Sequence, residues 1–215
     1  MSRSGGSLAL NMRRRRFALF LDLLNSIKQS KIDILDIGGT EVFWESMDFV
    51  KMCKNGRIRL TVLNVTAVSA RHEFIESVTG DARDLSCFGD KQFDIAFSNS
   101  VIEHVGSYND QKSMAEEIRR VGKRYFVQTP NYYFPIEPHF LFPFFQFLPK
   151  GLKIYLLRHF NLGWYKKMSS REGALKVIGE IRLLKLREFK ELFPDAEIYK
   201  EKFLGLTKSF IAYRF

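Results

Sequence analysis

The stretch Lys31–Trp44, KIDILDIGGTEVFW, is the most informative part of this sequence about the fold. An apolar run over residues 32–37 contains Asp36 and is followed by Gly38 and Gly39, after which an amphipathic segment begins. This order predicts a buried strand, a tight turn and the start of a helix. In an open α/β sheet, ligands bind at the carboxyl ends of the strands, where a turn without side chains lets a ligand approach the backbone. The stretch therefore predicts a fold class and a candidate ligand site.

The turn does not complete the dinucleotide-binding pattern of three glycines. Thr40 stands where the second glycine of that pattern would be, and Val42 and the residue after it leave the third position without a glycine. A phosphate-binding turn and a plain strand-to-helix turn without a ligand both remain open on this stretch alone.

Composition limits the possible classes of protein. A chain of 215 residues with 46% hydrophobic residues is long enough for one domain with insertions. The net charge of +10 favours acidic partners, namely nucleic acid, anionic lipid or an anionic cofactor, without choosing among them. Cys53 and Cys87 are far apart and lack metal-ligand spacing, so they indicate neither a disulfide framework nor a metal site. A reducing cytoplasm fits this cysteine content best.

Residues 1–30 are expected to form an N-terminal tail and a short amphipathic helix. The Ser/Gly-rich stretch 1–11 predicts disorder, and Arg13–Arg16 then precede an apolar segment. Asp22 interrupts that segment and no small-residue cleavage site follows, which argues against a secretory signal. One side of the predicted helix carries Phe17, Phe20, Leu24 and Ile27. This helix could pack on the sheet or rest on an anionic membrane surface.

Strand and helix patterns alternate along the rest of the chain. Strands are predicted at 59–65, 74–78, 93–97 and 124–128, and helices at 42–54 and 110–121. A helix at 182–193 and two terminal strands at 196–203 and 208–215 follow. This alternation predicts a mostly parallel sheet with helices on both faces and an antiparallel pair at the end.

Several motifs in this order resemble one enzyme family. ILDIGGT at 34–40, Asn64 at the end of the second strand, GDARDL at 80–85 and FDIAFSNSVIEHV at 93–105 resemble class I S-adenosylmethionine-dependent methyltransferases, in particular the small type 11-like branch. The resemblance covers about 31–130 and returns near the C-terminus. It implies a Rossmann-like three-layer sandwich with a seven-stranded sheet, mostly parallel and with an antiparallel last strand, in one domain over residues 31–215.

The resemblance also implies the cofactor S-adenosylmethionine and the residues that bind it. This cofactor has no phosphates, so it does not need three glycines. A carboxylate at Asp36 would help to hold its ammonium group, and Asp81 stands where the family contacts adenine. The family usually has Asp or Glu at position 64, whereas Asn64 offers one acceptor and one donor. Turn or cap roles remain open for these polar residues. The expected cofactor contacts are Asp36, Gly38, Gly39, Thr40, Asn64, Asp81, Ala82, Ser98 and Asn99.

The end of the fourth strand narrows the acceptor. Ser98-Asn99-Ser100 differs from the Asn/Asp-Pro-Pro-aromatic run of enzymes that methylate base amines, and no cysteine follows a proline as in cytosine C5 enzymes. Nucleic acid is therefore disfavoured, and a hydroxyl of a small-molecule, glycan or lipid-like acceptor is expected. Two alternatives stay open: a noncatalytic binding protein of the same fold, and an RNA-directed methyltransferase that uses the arginine run.

Methyl transfer to a hydroxyl requires alignment and removal of a proton. His104, His139 and Glu137 are the candidate catalytic residues, with either histidine as base and the carboxylate orienting it. Structural roles remain open for both histidines. No metal is indicated.

An aromatic insertion over about 130–170 is the least regular part of the chain. Its longest apolar piece, Phe140–Leu148, is short and broken by proline, so it is not expected to span a bilayer. Three interpretations are open: a lid that forms the acceptor pocket, a patch that contacts a membrane peripherally, and plain packing against the core.

Overall fold

The computed structural model describes residues 4–47, 49, 53, 56–66 and 71–215, with side chains from Leu10 onward. Its helices are α1 (Ser4–Asn25), α2 (Glu41–Ser46), α3 (Tyr108–Val121), α4 (Lys150–His159), α5 (Arg171–Gly179) and α6 (Leu186–Leu192). Short 3-10 helices cover Ile102–His104 and Phe145–Phe147. The strands are β1 (Ile32–Ile37), β2 (Ile58–Asn64), β3 (Ile75–Thr79), β4 (Phe93–Asn99), β5 (Gly122–Pro130), β6 (Ile136–Glu137), β7 (Phe142–Pro143), β8 (Glu197–Phe203) and β9 (Leu206–Arg214).

Seven of these strands form one sheet in the order β3-β2-β1-β4-β5-β9-β8. β1 pairs in parallel with β2 and β4, and β2 pairs in parallel with β3. β8 and β9 form an antiparallel hairpin whose turn holds Gly205 at φ 82°. The predicted α/β fold, with a mostly parallel seven-stranded sheet and an antiparallel end, is confirmed. The predicted helix at 42–54 begins as α2, and residues 48, 50–52, 54 and 55 lie outside the described residues.

The chain divides into two compact units. The first comprises residues 1–98, 118–126 and 214–215, and the second comprises 99–117 and 127–213. The sequence-based domain boundaries, 1–30 and 31–215, stay a prediction.

Aromatic rings form the core of the first unit. The ring centroid of Phe20 lies 4.9 Å from that of Phe97 and 5.4 Å from that of Phe126, and Trp44 lies 4.7 Å from Phe49. The apolar side of α1 is thus buried against the sheet, which agrees with the packing interpretation of the N-terminal helix and leaves that side unavailable to a membrane. The expectation of disorder over 1–11 was wrong from Ser4 onward, because α1 already begins there.

The second unit has its own apolar core within the aromatic insertion. Its buried members are Phe140, Phe145, Leu157, Leu162 and Ala174. The rings of Phe140 and Phe145 lie 4.0 Å apart. The insertion is held by the short β6–β7 pair and by α4. Among the described residues, no helix is long and apolar enough to cross a membrane.

Candidate active site

The glycine turn of the first unit is built around the side chain of Asp36. This carboxyl group is almost fully buried at the end of β1, and the indole Nε1 of Trp44 donates to its Oδ2 at 2.6 Å. Its other oxygen, Oδ1, is buried without a hydrogen-bond partner among the described residues. Burial raises the pKa of Asp36 to about 7, although the hydrogen bond from Trp44 acts in the opposite direction.

Glycine at position 39 is required by the closeness of this carboxylate. A Cβ at Gly39 would lie 1.7 Å from Oδ2 of Asp36, so any other residue at position 39 would force the Asp36 side chain out of its place. Gly38 has φ 76° and its amide donates to the carbonyl of Leu63 at 2.7 Å. The turn therefore passes directly over the Asp36 side chain and presents bare backbone.

Asn64 ties β2 to the same turn. Its Nδ2 donates to the carbonyl of Gly39 at 3.1 Å, so its Oδ1 is the atom left to accept from a ligand. Thr40 precedes α2 as an exposed residue without a side-chain cap hydrogen bond. The structure thus brings together Asp36, Gly39 and Asn64 from the predicted set, and adds Trp44. Only the nearness of Trp44 in sequence hinted at its contact with Asp36.

The remaining residues predicted to bind the cofactor are not among the contacts around Asp36. The carboxylate of Asp81 pairs with Arg83 at 2.6 Å on a half-exposed turn, and this hydrogen bond keeps the pKa of Asp81 below its usual value. Ala82 beside it is buried. The hydroxyl of Ser98 is buried and donates to the carbonyl of Ile37 at 3.2 Å, which joins β4 to β1. Asn99 ends β4 and is half-buried.

Glu137 and His139 form a compact pair in the second unit. Oε1 of Glu137 lies 2.7 Å from Nδ1 of His139, and Oε2 accepts from the amides of His139 at 2.7 Å and Phe140 at 2.8 Å. A carboxylate can only accept, so Nδ1 carries the proton and Nε2 of a neutral ring is the lone-pair nitrogen. Burial disfavours the charged ring, but the hydrogen bond and charge of Glu137, with the charge of Glu103, outweigh it and raise the pKa of His139.

His104 and Glu103 lie against this pair. The rings of His104 and His139 meet edge to face, with centroids 4.7 Å apart. Burial and the nearby charge of His139 lower the pKa of His104 to about 4. Glu103 is fully buried and its Oε2 accepts from the hydroxyl of Thr129 at 3.1 Å. Sequence reasoning placed His104, His139 and Glu137 as candidates, and the structure brings all three together with Glu103.

A cavity of about 310 Å³ adjoins this cluster in the second unit. Glu137 belongs to both the cavity wall and the cluster. Aromatic and aliphatic side chains make one part of the wall, namely Tyr132, Phe140, Phe145, Ile178, Ile181 and Leu183. Polar and charged side chains make the other, namely Gln146, Lys153, Arg182, Lys185 and Glu188. The sequence did not indicate the part of this wall that residues 178–188 supply.

Comparison with known proteins agrees with this fold. Residues 47–125 match the family model described as a methyltransferase domain. The chain is 32% identical over 100 residues to the uncharacterized protein Rv1509 of Mycobacterium tuberculosis strain H37Rv, in an alignment that covers 46% of this chain and 33% of the relative. The match thus spans about a third of the length of that curated relative.

Two solved structures illustrate the shared fold. Magnesium protoporphyrin IX methyltransferase of Synechocystis, solved with bound S-adenosylhomocysteine, superposes with a TM-score of 0.57 at 10% identity over 99% of this chain and 87% of that chain. The 1,6-didemethyltoxoflavin-N1-methyltransferase of Burkholderia thailandensis gives 0.55 at 12% identity, over 94% and 76% of the two chains. Both structures are only 10–12% identical to this chain and so show a shared fold, while the match to the methyltransferase domain model covers residues 47–125.

Proposed function

We propose that this protein uses S-adenosylmethionine to methylate a hydroxyl group of a small-molecule, glycan or lipid-like acceptor. The observation that carries the proposal is the buried oxygen of Asp36, Oδ1, which has no hydrogen-bond partner among the described residues beneath a turn that must be glycine. A buried acceptor of this kind costs free energy unless a donor reaches it. The ammonium group of the cofactor is such a donor.

The other residues of the first unit fit the same cofactor. When bound, S-adenosylmethionine supplies an electrophilic methyl group on a positively charged sulfur. The Oδ1 atom of Asn64 would accept from a ribose hydroxyl, and Asp81 would accept from the amine of adenine while it keeps its pairing with Arg83. Thr40 and Ala82 would line the site. Because the hydroxyl of Ser98 is already engaged, we propose a supporting role for it.

We place the acceptor in the cavity of the second unit. Its apolar wall suits a hydrophobic or aromatic body, whereas Lys153, Arg182 and Lys185 suit a polar or anionic end. Glu137 lies in the cavity wall and contacts His139, so the cavity adjoins the histidine cluster. The proton of the acceptor hydroxyl would be removed at this cluster. In this arrangement Glu137 orients His139, and Nε2 of His139 points away from that hydrogen bond.

The surface of the aromatic insertion supports a lipid-like acceptor. Nine large apolar side chains are exposed between residues 133 and 164, with Trp164 74% exposed. Between residues 132 and 171 the sequence has one acidic residue, Glu137, and that residue is buried. The exposed basic residues of the segment, Lys150, Arg158, Lys166 and Lys167, are therefore not offset by acidic side chains of the same segment. Exposed aromatic residues among positive charges suit the surface of an anionic membrane.

Turnover is the test that separates this function from the two alternatives. The protein should convert S-adenosylmethionine to S-adenosylhomocysteine when lipid, glycan or small-molecule fractions are supplied, and should transfer labelled methyl into one of them. Transfer into RNA, with binding that survives physiological salt, would favour the RNA-directed alternative. Cofactor binding with no transfer into any fraction would favour a noncatalytic binding protein.

A further inference from the structure

Glu103, His104 and His139 offer three ligand atoms that all lie within 4.8 Å of one another. Glu103 and His104 belong to the 3-10 helix after β4, and His139 follows β6 in the aromatic insertion. We propose that these side chains bind a divalent first-row transition-metal ion such as Zn²⁺, Mn²⁺ or Co²⁺. Two imidazole nitrogens and one carboxylate oxygen are a donor set that suits these ions and leaves further coordination positions open.

The hydrogen bond of His139 is the first argument for a metal site. Nδ1 of this ring is held by the buried carboxylate of Glu137 at 2.7 Å, so Nε2 of the neutral ring carries the lone pair. Histidines that bind metals usually donate their other ring nitrogen to a carboxylate or a carbonyl, because this fixes the tautomer and makes the ring a better ligand. Glu137 supplies that partner here.

The ring of His104 has a backbone carbonyl as its neighbour. The backbone carbonyl of Glu180 lies close enough to the ring of His104 to favour its protonated form. The ring meets that of His139 at an interplanar angle of 87°. Part of His104 is exposed, which gives an ion a route from solvent. Both histidines are thus oriented by groups outside the cluster.

Glu103 supplies the anionic ligand. Its side chain is fully buried, Thr129 donates to its Oε2 at 3.1 Å, and its carbonyl accepts from the amide of Arg182 at 2.8 Å. With Glu137 this places two buried carboxylates beside two imidazoles. Burying a negative charge is costly unless a cation or hydrogen bonds offset it. A divalent ion would add positive charge to the hydrogen bonds that both carboxylates accept.

A second cluster of possible metal ligands, in the first unit, already has a cation beside its carboxylates. Glu41, Glu45 and His72 are equally close to one another. However, the guanidinium of Arg71 lies 3.2 Å from Glu41 and 3.1 Å from Glu45, so a side-chain cation already occupies this place. The contrast makes His72 a suitable control residue.

The inference deepens the proposed function, on which its catalytic part rests. An ion held by this cluster would lower the pKa of an acceptor hydroxyl bound to it, so that the proton passes to solvent water. The imidazoles would then act as ligands rather than as bases. Binding of the ion itself does not depend on the methyltransferase activity.

The test measures metal binding alone. The full chain is treated with a chelator, dialysed and titrated with Co²⁺, whose visible absorption reports nitrogen ligands, and with Zn²⁺ in a calorimeter. We expect one tight equivalent of either ion. Affinity should fall at least about tenfold in His104→Ala, His139→Ala and Glu103→Gln, and by about 10- to 100-fold in Glu137→Gln, which keeps the size of the side chain and removes the charge beside His139. His72→Ala and His159→Ala, the other two histidines of the chain, should bind as the wild type does.

Two results would overturn the inference: no binding of Co²⁺ or Zn²⁺ to the wild type, or equal loss of binding in the control variants. Circular dichroism of each variant checks that it is folded, and Glu137→Gln keeps the test valid if an alanine variant is not. Titration with S-adenosylmethionine on the same samples separates the two proposals. Loss of cofactor binding with intact metal binding counts against the proposed function only, and the reverse counts against the metal site only.

Discussion

The indole Nε1 of Trp44 donates a hydrogen bond of 2.6 Å to the carboxyl group of Asp36, and both side chains are almost fully buried. This bond joins the end of β1 to α2 across the glycine turn. The two residues are eight positions apart, so the contact depends on the turn between them. We expect it to hold the turn in shape for the cofactor.

Trp44→Phe keeps a large ring but removes the donor. The carboxyl group of Asp36 then loses its only hydrogen bond among the described residues. We expect the free energy of unfolding to fall by about 1–3 kcal/mol and the affinity for S-adenosylmethionine to fall as well. Urea unfolding and calorimetry measure the two effects. The exposed residue Trp164, changed to Phe, is the matched control and should leave both quantities unchanged; an unaffected Trp44→Phe variant would contradict the assigned role.

The raised pKa of Asp36 predicts a pH dependence of stability. Between the ordinary value of 3.8 and about 7, the carboxyl group is ionised in the unfolded chain but protonated in the folded one. Stability should therefore fall as pH rises through this window, by on the order of 4 kcal/mol, and level off above it. Asp36→Asn should remove this contribution. Unfolding curves of both proteins from pH 4 to 8 check the difference.

Cofactor binding should release a proton from the same group. At pH 6 Asp36 is mostly protonated in the free protein, and the positive charge of the cofactor favours its ionised form. Calorimetry in two buffers of different ionisation enthalpy should show release of up to about one proton at pH 6 and almost none at pH 8.5. If Asp36→Asn released the same number of protons, another group would be responsible.

Asp81 and Arg83 allow a test of the adenine contact. The pair is half-exposed, so it contributes little to stability. If Asp81 accepts from adenine, Asp81→Ala should weaken cofactor binding about tenfold or more, whereas Arg83→Ala should leave binding nearly unchanged. Equal losses in both variants would show that the ion pair matters only for the shape of the turn.

Nuclear magnetic resonance of the metal-free protein can follow the two histidines. His139 should titrate above 6.5 and His104 near 4, since their surroundings act in opposite directions. Glu137→Gln removes the negative charge that raises the pKa of His139, so that pKa should fall. The stabilising effect of protonated His139 is present below pH 6.5 and is lost as pH rises through its raised pKa. An unchanged pKa in the variant would exclude Glu137 as its cause.

The sequence predicts the strands of the fold better than it predicts the contacts of the site. Strand β1 was predicted with the observed bounds, because a buried parallel strand is a continuous apolar run between turn residues. The start of α1 was missed because Gly5 and Gly6 favour disorder locally, whereas burial of Phe17 and Phe20 stabilises the helix. Helix α4 in the aromatic insertion was missed because prolines and aromatic residues obscure any period.

Some contacts of the site could be predicted from sequence spacing and others could not. The Glu137–His139 pair lies within one turn of chain, so its sequence spacing suggested the contact. The approach of His104 to His139 joins residues far apart in sequence, and no local pattern encodes it. The same is true of the carbonyl of Glu180 that orients His104.

Titration with S-adenosylmethionine measures whether the glycine turn over Asp36 binds the cofactor. The wild type should bind one equivalent in a calorimeter. Gly39→Ala should not bind detectably, because the added Cβ would collide with Asp36. Gly151→Ala, where a Cβ meets nothing within 4 Å, should bind like the wild type. Absence of binding to the wild type at millimolar cofactor, or full binding by a folded Gly39→Ala variant, would contradict the account.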